Sequence, residues 1–328
     1  MSKHSTPALD VRDLRVRFDT DEGPVLAVNG LSLRIGESEV LAVVGESGCG
    51  KTVTALAVLG LTPPHATVGG SIRLSGTELT TLPEAELRRV RGRDLAMIFQ
   101  EPMTSLNPAF TIGRQIGEVL VRHEGMSRKA ARARTVELLD LVRIPSAARR
   151  LDEYPHQLSG GMRQRVMIAI AVACDPKLII ADEPTTALDV TIQAQVLDIL
   201  RQLRRDLGTA VLLITHDLGA VADIADRVVV MYAGHEVERG EAQALFDGPQ
   251  HPYTIGLLGA VPRPGGARLT EIPGLVPVLR EAPAGCVFAP RCARAQDDCR
   301  AQMPPVRETH AMQFAACLHP GPREAVVS

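Results

Sequence analysis

Val40-Leu41-Ala42-Val43-Val44-Gly45-Glu46-Ser47-Gly48-Cys49-Gly50-Lys51-Thr52 is the stretch that decides the fold. Its first five residues form a continuous apolar run, which suits a strand buried on both faces. Gly45 to Thr52 then match G-x-x-x-x-G-K-[ST]. The glycines let backbone N–H groups turn inward around phosphates, Lys51 can reach the β- and γ-phosphates, and Thr52 offers a hydroxyl to Mg²⁺. A helix is predicted from Lys51 to Leu61, ended by Pro63-Pro64, with its positive end aimed at the anion. Strand, glycine loop and helix in that order are the context a phosphate loop requires. Cys49 has two readings. It is a small residue contributing only its amide, or a thiol activated by the helix N-terminus and Lys51.

Upstream, Leu14 to Ile35 alternates apolar and polar residues around Asp21-Glu22-Gly23-Pro24, which predicts antiparallel strands joined by a turn. Downstream, residues from about Gln100 to Gln157 are rich in Arg and Ala with little strand signal. They predict an inserted helical subdomain, with Ser127 capping one helix. The Arg-rich run Arg128 to Arg150 is expected to be a solvated helix face. Lys177 to Ala181, Thr209 to Thr215 and Arg227 to Tyr232 read as buried strands. Thr191 to Leu207 reads as an amphipathic helix with Ile192, Val196, Ile199, Leu200, Leu203 and Leu207 on one stripe. The alternation implies an α/β core with a largely parallel sheet. Pro262 to Gly285, dense in Pro and Gly, reads as a linker into a small C-terminal module.

A second chemical element is Leu178-Ile179-Ile180-Ala181-Asp182-Glu183-Pro184. Asp182, at the end of an apolar strand, suits the Mg²⁺ shell. Glu183 beside it suits a general base that polarises an attacking water. Two adjacent acids alone would be an ordinary strand end, and the phosphate loop in the same chain tips the balance.

Leu158-Ser159-Gly160-Gly161-Met162, followed by Arg163-Gln164-Arg165, closely resembles the signature of ABC ATPases. Ser159 and the amides of Gly160 and Gly161 open a helix and can bind an anion. The resemblance implies that this anion is the γ-phosphate of ATP held by the opposite subunit, so that two chains pack head to tail around two nucleotides. It carries over further positions. Gln100, after Ala96-Met97-Ile98-Phe99, is similar to the Q-loop glutamine that touches Mg²⁺ and water and relays to a membrane partner. His216, after Leu213-Ile214-Thr215, is similar to the switch histidine at the γ-phosphate. Ala187-Leu188-Asp189 is similar to the D-loop, and Phe18 to the aromatic that stacks on adenine. Without the resemblance, His216 would be an ordinary strand-end histidine and Phe18 a core residue.

The likeness narrows to the ATPases of oligopeptide, dipeptide and nickel importers, and within them to the D-type ATPase branch of dipeptide transporters. Gln100-Glu101-Pro102-Met103-Thr104-Ser105-Leu106-Asn107-Pro108, His251-Pro252-Tyr253-Thr254, and Cys286, Cys292, Cys299 and Cys317 with Pro290-Arg291 before Cys292 carry it. It implies an α/β P-loop ABC ATPase with a RecA-like core, an antiparallel β subdomain, a helical subdomain over about 100–160 and a Cys-rich C-terminal module. The nucleotide-binding domain is expected over 1–250 and the C-terminal extension over 251–328. The implied activity is ATP hydrolysis that powers uptake of di- or oligopeptides, with nickel or another small solute as the alternative cargo. Two permease subunits, a second ABC ATPase (a paralogue or a second copy) and an extracytoplasmic solute-binding protein are the implied partners.

Four cysteine thiolates can hold Zn²⁺ or an iron–sulfur cluster, or remain free. Zinc sites usually use closely spaced cysteine pairs, which are missing here. The resemblance favours a [4Fe-4S] cluster over zinc.

Composition excludes competing classes. The 328 residues carry 36 Lys plus Arg against 38 Asp plus Glu, a net charge of −2, so the basic excess of a nucleic-acid binder is missing. Six Phe, three Tyr and no Trp leave little for base stacking. No nucleic-acid partner is expected. Soluble ABC ATPases acting on DNA also insert long coiled coils or zinc modules, for which Lys51 and Ser159 are too close in sequence. No apolar run reaches the roughly 18 residues of a membrane span, and residues 1–10 contain no secretory h-region. The default compartment is the cytoplasm, and the resemblance to importer ATPases with separate permeases implies a peripheral location on the cytoplasmic face of the cell membrane.

Overall fold

The structure, a computed structural model, describes residues 6–101, 105–186, 188–260 and 272–321. Its strands are β1 (Leu9–Thr20), β2 (Gly23–Ile35), β3 (Val40–Val44), β4 (Ala66–Leu74), β5 (Thr77–Glu78), β6 (Leu95–Ile98), β7 (Leu178–Asp182), β8 (Ala210–Ile214), β9 (Arg227–Tyr232), β10 (His235–Glu241), β11 (Arg307–His310) and β12 (Gln313–Ala315). Two compact units share them. One holds Met1–Ala8, Ile35–Glu39 and Thr81–Leu213, and the other Leu9–Arg34, Val40–Thr80 and Ile214–Ser328.

In the second of these units, β2, β1, β4 and β5 form a sheet in that order. β1 and β4 run antiparallel from Leu9↔Leu74 to Phe18↔Ala66. Leu9 and Val11 are buried, then Leu14 and Val16, so the inward alternation skips one position at Asp13. There the register shifts between Arg12 and Arg15, and Asp13 lies at φ 48. A Cβ on the facing Gly70 would collide with the Arg12 and Asp13 carbonyls, so glycine is what admits this bulge. The same unit carries the order β11-β12-β10-β9-β3. β3 is buried throughout and pairs parallel with β9, Leu41↔Arg227 to Val44↔Val230, as its continuous apolar run predicts.

The helix after the glycine loop is Lys51–Leu59, shorter than the sequence suggests. Gly50 and Gly60 at its two caps are left-handed, and Gly60 donates to the Ala57 and Leu56 carbonyls, closing it ahead of the prolines. The stretch 262–285 has no helix or strand among its described residues, while 262–271 lie outside them. β10 to β12 were not expected from the sequence. β12 pairs antiparallel with β10, Glu238↔Ala315, so the Cys-rich segment extends this sheet with its own strands.

In the first unit, β6 and β7 run parallel, Leu95↔Leu178 to Ile98↔Ala181, and β7 lies between β6 and β8. The helical segment follows the sequence closely. Thr111 caps Ile112–Glu124 and Ser127 caps Arg128–Leu141, each accepting an amide with its hydroxyl. Ala131, Leu138 and Leu139 are buried while Arg128 and Arg132 face solvent, as the Arg-rich run predicts. The long helix Val190–Leu207 buries Val196, Leu197, Ile199, Leu200 and Leu203. Leu207, placed on that stripe by its spacing, is 41% exposed in the last turn, where the chain leaves the core through the left-handed Gly208.

Candidate functional site

The predicted residues gather as two constellations, one within each unit. In the second unit, Gly45–Thr52 lies between β3 and the helix Lys51–Leu59. A Cβ on Gly45 would collide with the Met231 carbonyl, and one on Gly50 with the Ala27 carbonyl, so both must be glycine for the loop to sit against its neighbours. Gly48 meets nothing, and its φ of 80 is its only constraint. Lys51 is 6% exposed, and its ammonium donates to the carbonyls of Gly45 at 2.7 Å and Glu46 at 3.0 Å. Ser47, Gly48 and Thr52 face solvent.

Cys49 is fully buried, with its thiol 3.7 Å from the Lys51 ammonium. Burial raises its pKa above the usual thiol value, and the opposing pull of Lys51 does not overcome this. The inert reading of Cys49 therefore stands, and the activated thiol is not supported. Phe18, half-buried at the end of β1, lies 5.8 Å from the His65 ring, so it is not a core residue. His216 follows β8 and is exposed.

Glu46, a loop residue, has unexpected partners. Its amide donates to the Tyr253 hydroxyl at 2.8 Å. Its carboxylate is gripped by both terminal nitrogens of Arg291, at 2.7 and 3.0 Å. Tyr253 and Arg291 lie within motifs visible in the sequence, but nothing in their spacing assigns them to the loop.

In the first unit, Asp182 ends β7 and is 2% exposed. Glu183 follows at φ 47, a left-handed conformation rare outside glycine. Its carboxylate accepts from Gln100 Nε2 at 3.0 Å and from the Thr186 hydroxyl at 2.9 Å. Parallel pairing of β6 with β7 brings Gln100, just past β6, to Glu183, just past β7.

Ser159 caps the helix Gly160–Ala171 and accepts from the Met162 amide at 3.4 Å. Leu158 is buried, Ser159 and Gly160 are exposed, and Gly161 and Met162 are half-buried. Gln164, 2% exposed, donates to the Pro184 carbonyl at 2.8 Å and ties the signature helix to the turn after Glu183. No role for Gln164 is legible in the sequence, because only the fold brings it there. Asp189 caps Val190–Leu207 by accepting from the Ile192 amide at 2.9 Å. Ala187, Pro102, Met103 and Thr104 lie outside the described residues.

Cys286, Cys292, Cys299 and Cys317 line one cavity in the second unit, with His251, Phe288 and His319. All four are free thiols. Burial raises the Cys286 thiol and pushes Cys317 up to about 11, and the neighbouring cysteines act in the same direction. Four thiols in one cavity are a soft donor set of the kind that binds a metal group once deprotonated. Among the described residues, the donor atoms of Asp298, Cys299 and His319 lie within 4.8 Å of one another, and His319 Nε2 is 2.9 Å from Asp298.

A glycine loop between a buried strand and a helix, with a buried aspartate and a glutamate ending another parallel strand, defines a P-loop nucleotide-binding protein. Residues 28–186 match the family described as ABC transporter, and residues 237–299 the oligopeptide/dipeptide transporter C-terminal region. The chain is 51% identical to the oligopeptide transport ATP-binding protein OppD of Salmonella typhimurium, over 95% of this chain and 93% of that one. It is 52% identical to OppD of Haemophilus influenzae, over 90% and 92%. The dimeric ATP-binding cassette MJ0796 bound to ADP and Pi superposes with a TM-score of 0.65 at 26% identity, covering 71% of this chain and 98% of that one. The chain belongs to the ABC transporter ATP-binding proteins of the oligopeptide/dipeptide branch.

Proposed function

We propose that the chain is the ATP-hydrolysing subunit of a peptide importer, working through separate permease subunits. The observation that carries this is near-full-length similarity to OppD, joined to the Gln100–Glu183 contact. Gly45–Thr52 receives the phosphates of ATP, with Lys51 at the β- and γ-phosphates and Phe18 against the adenine. Thr52, Asp182 and Gln100 offer oxygens to Mg²⁺, which would neutralise phosphate charge when bound. Glu183 takes the proton of the attacking water, Gln100 orients that water, and His216 contacts the γ-phosphate. Leu158–Met162 and Asp189 meet the nucleotide of a second ATPase subunit. Residues 251–328 form the extension beyond the cassette.

The partners are two permeases, a second ATPase and a solute-binding protein. Among the described residues no helix is long and apolar enough to cross a membrane, which agrees with peripheral attachment on the cytoplasmic face. Capture of the chain from detergent-solubilised native membranes tests this. Recovery with two permeases, a second ATPase and a peptide-loaded binding protein is expected. Recovery only in the soluble fraction, or with DNA-associated proteins, overturns the transport role.

The four cysteines hold a [4Fe-4S] cluster in this proposal, because they converge on one cavity. Anaerobically purified protein is expected to be brown, and Cys292→Ser to lose both colour and iron. Colourless, zinc-loaded protein would sink the iron–sulfur assignment.

A further inference from the structure

We propose that Arg291 is a positioning residue for the phosphate loop, and that through it the four-cysteine module sets nucleotide affinity. This rests on Gly45–Thr52 being the nucleotide site. Arg291 has five N–H donors. Nε donates to the Pro273 carbonyl at 2.7 Å. Nη1 donates to Glu46 at 2.7 Å and the Tyr232 hydroxyl at 3.4 Å. Nη2 donates to Glu46 at 3.0 Å and the Ile272 carbonyl at 3.1 Å. Its side chain is only 6% exposed. A guanidinium with this many partners is a fixed fork rather than a loose surface ion pair.

The fork answers an electrostatic problem. A carboxylate on a loop that receives polyphosphate repels its ligand. Arg291 cancels the charge of Glu46 and holds the side chain in one orientation, while Tyr253 holds the amide of the same residue. The opposite end of the connection is the cysteine cavity. Arg291 closes the turn Ala289–Arg291 and directly precedes Cys292. Phe288, in the cavity wall with Cys286 and Cys292, packs 5.2 Å from Tyr232 and 5.4 Å from Tyr253. The cavity wall and the loop anchor are thus one packed body within the second unit.

Titration of the full-length chain with a fluorescent methylanthraniloyl-ATP, and with the matching ADP, tests the proposal. Arg291→Gln is expected to weaken ATP about tenfold or more, as an uncompensated carboxylate on the phosphate-binding loop would. The loss is expected to be smaller for ADP and at high salt. Adding Glu46→Gln to Arg291→Gln is expected to recover most of it, which a merely structural role would not allow. Cys292→Ser is expected to weaken ATP in the wild-type background and to add nothing to the double variant. Thermal melts without nucleotide check that each variant is folded. Folded Arg291→Gln that binds ATP like the wild type, or a double variant no better than Arg291→Gln, overturns the positioning role. Folded Cys292→Ser with wild-type affinity overturns the link to the module. A wild-type chain that binds neither nucleotide overturns the nucleotide-site assignment instead.

Discussion

Holding a glutamate in the left-handed region costs about 1 kcal/mol or more, and Glu183 is held there at φ 47. Such strain persists where the surroundings enforce it, and here Gln100 and Thr186 both bond the carboxylate. Glu183→Gln keeps the shape and removes the base. Hydrolysis should fall about a hundredfold or more, while binding of ATP persists and the closed ATP-bound dimer accumulates. Undiminished turnover in the purified variant would remove Glu183 from the base role. The acid pair was legible in the sequence because it ends an apolar strand beside a phosphate loop. The state of Cys49 was not, because helix-end and lysine effects favour a thiolate while burial opposes it, and only the packing shows burial to be the larger.

At the scale of elements, the buried strands and capped helices were legible from apolar runs and Ser or Thr caps. The β10–β12 pairing was not, because Glu238 and Ala315 are distant in sequence and β12 is only three residues long. β5 carries a testable acid response. Burial raises the Glu78 carboxyl, but bonds from Ser71, Thr80, the Ile72 amide and Arg73 outweigh it and hold the group at about 2, against 4.5 ordinarily. The unfolded chain therefore takes up this proton first as pH falls. Glu78 contributes stability above pH 4.5, and that contribution is lost between about 4.5 and 2. Denaturant midpoints of the wild type should exceed those of Glu78→Gln near neutrality and converge with them across that window. A gap independent of pH would rule out this origin.

For the whole molecule, the two glycines of the signature separate what the chain needs from what its assembly needs. A Cβ on Gly161 would lie 2.9 Å from Ile192, so packing within this chain demands glycine there. A Cβ on Gly160 meets nothing within 4 Å, and the residue is exposed at the start of its helix. Among the described residues nothing explains Gly160, and its helix end is one that can bind an anion. In the proposed head-to-tail arrangement this would be the nucleotide of the second subunit. Gly160→Leu should therefore leave the melting temperature and nucleotide affinity of the isolated chain unchanged. In the assembled transporter the same substitution should cut hydrolysis about a hundredfold and prevent ATP-dependent closure, measured by turnover in proteoliposomes and by crosslinking between the two ATPases. Normal turnover there would mean that no nucleotide reaches this helix end. A lowered melting temperature of the isolated chain would instead return Gly160 to a role in its own fold.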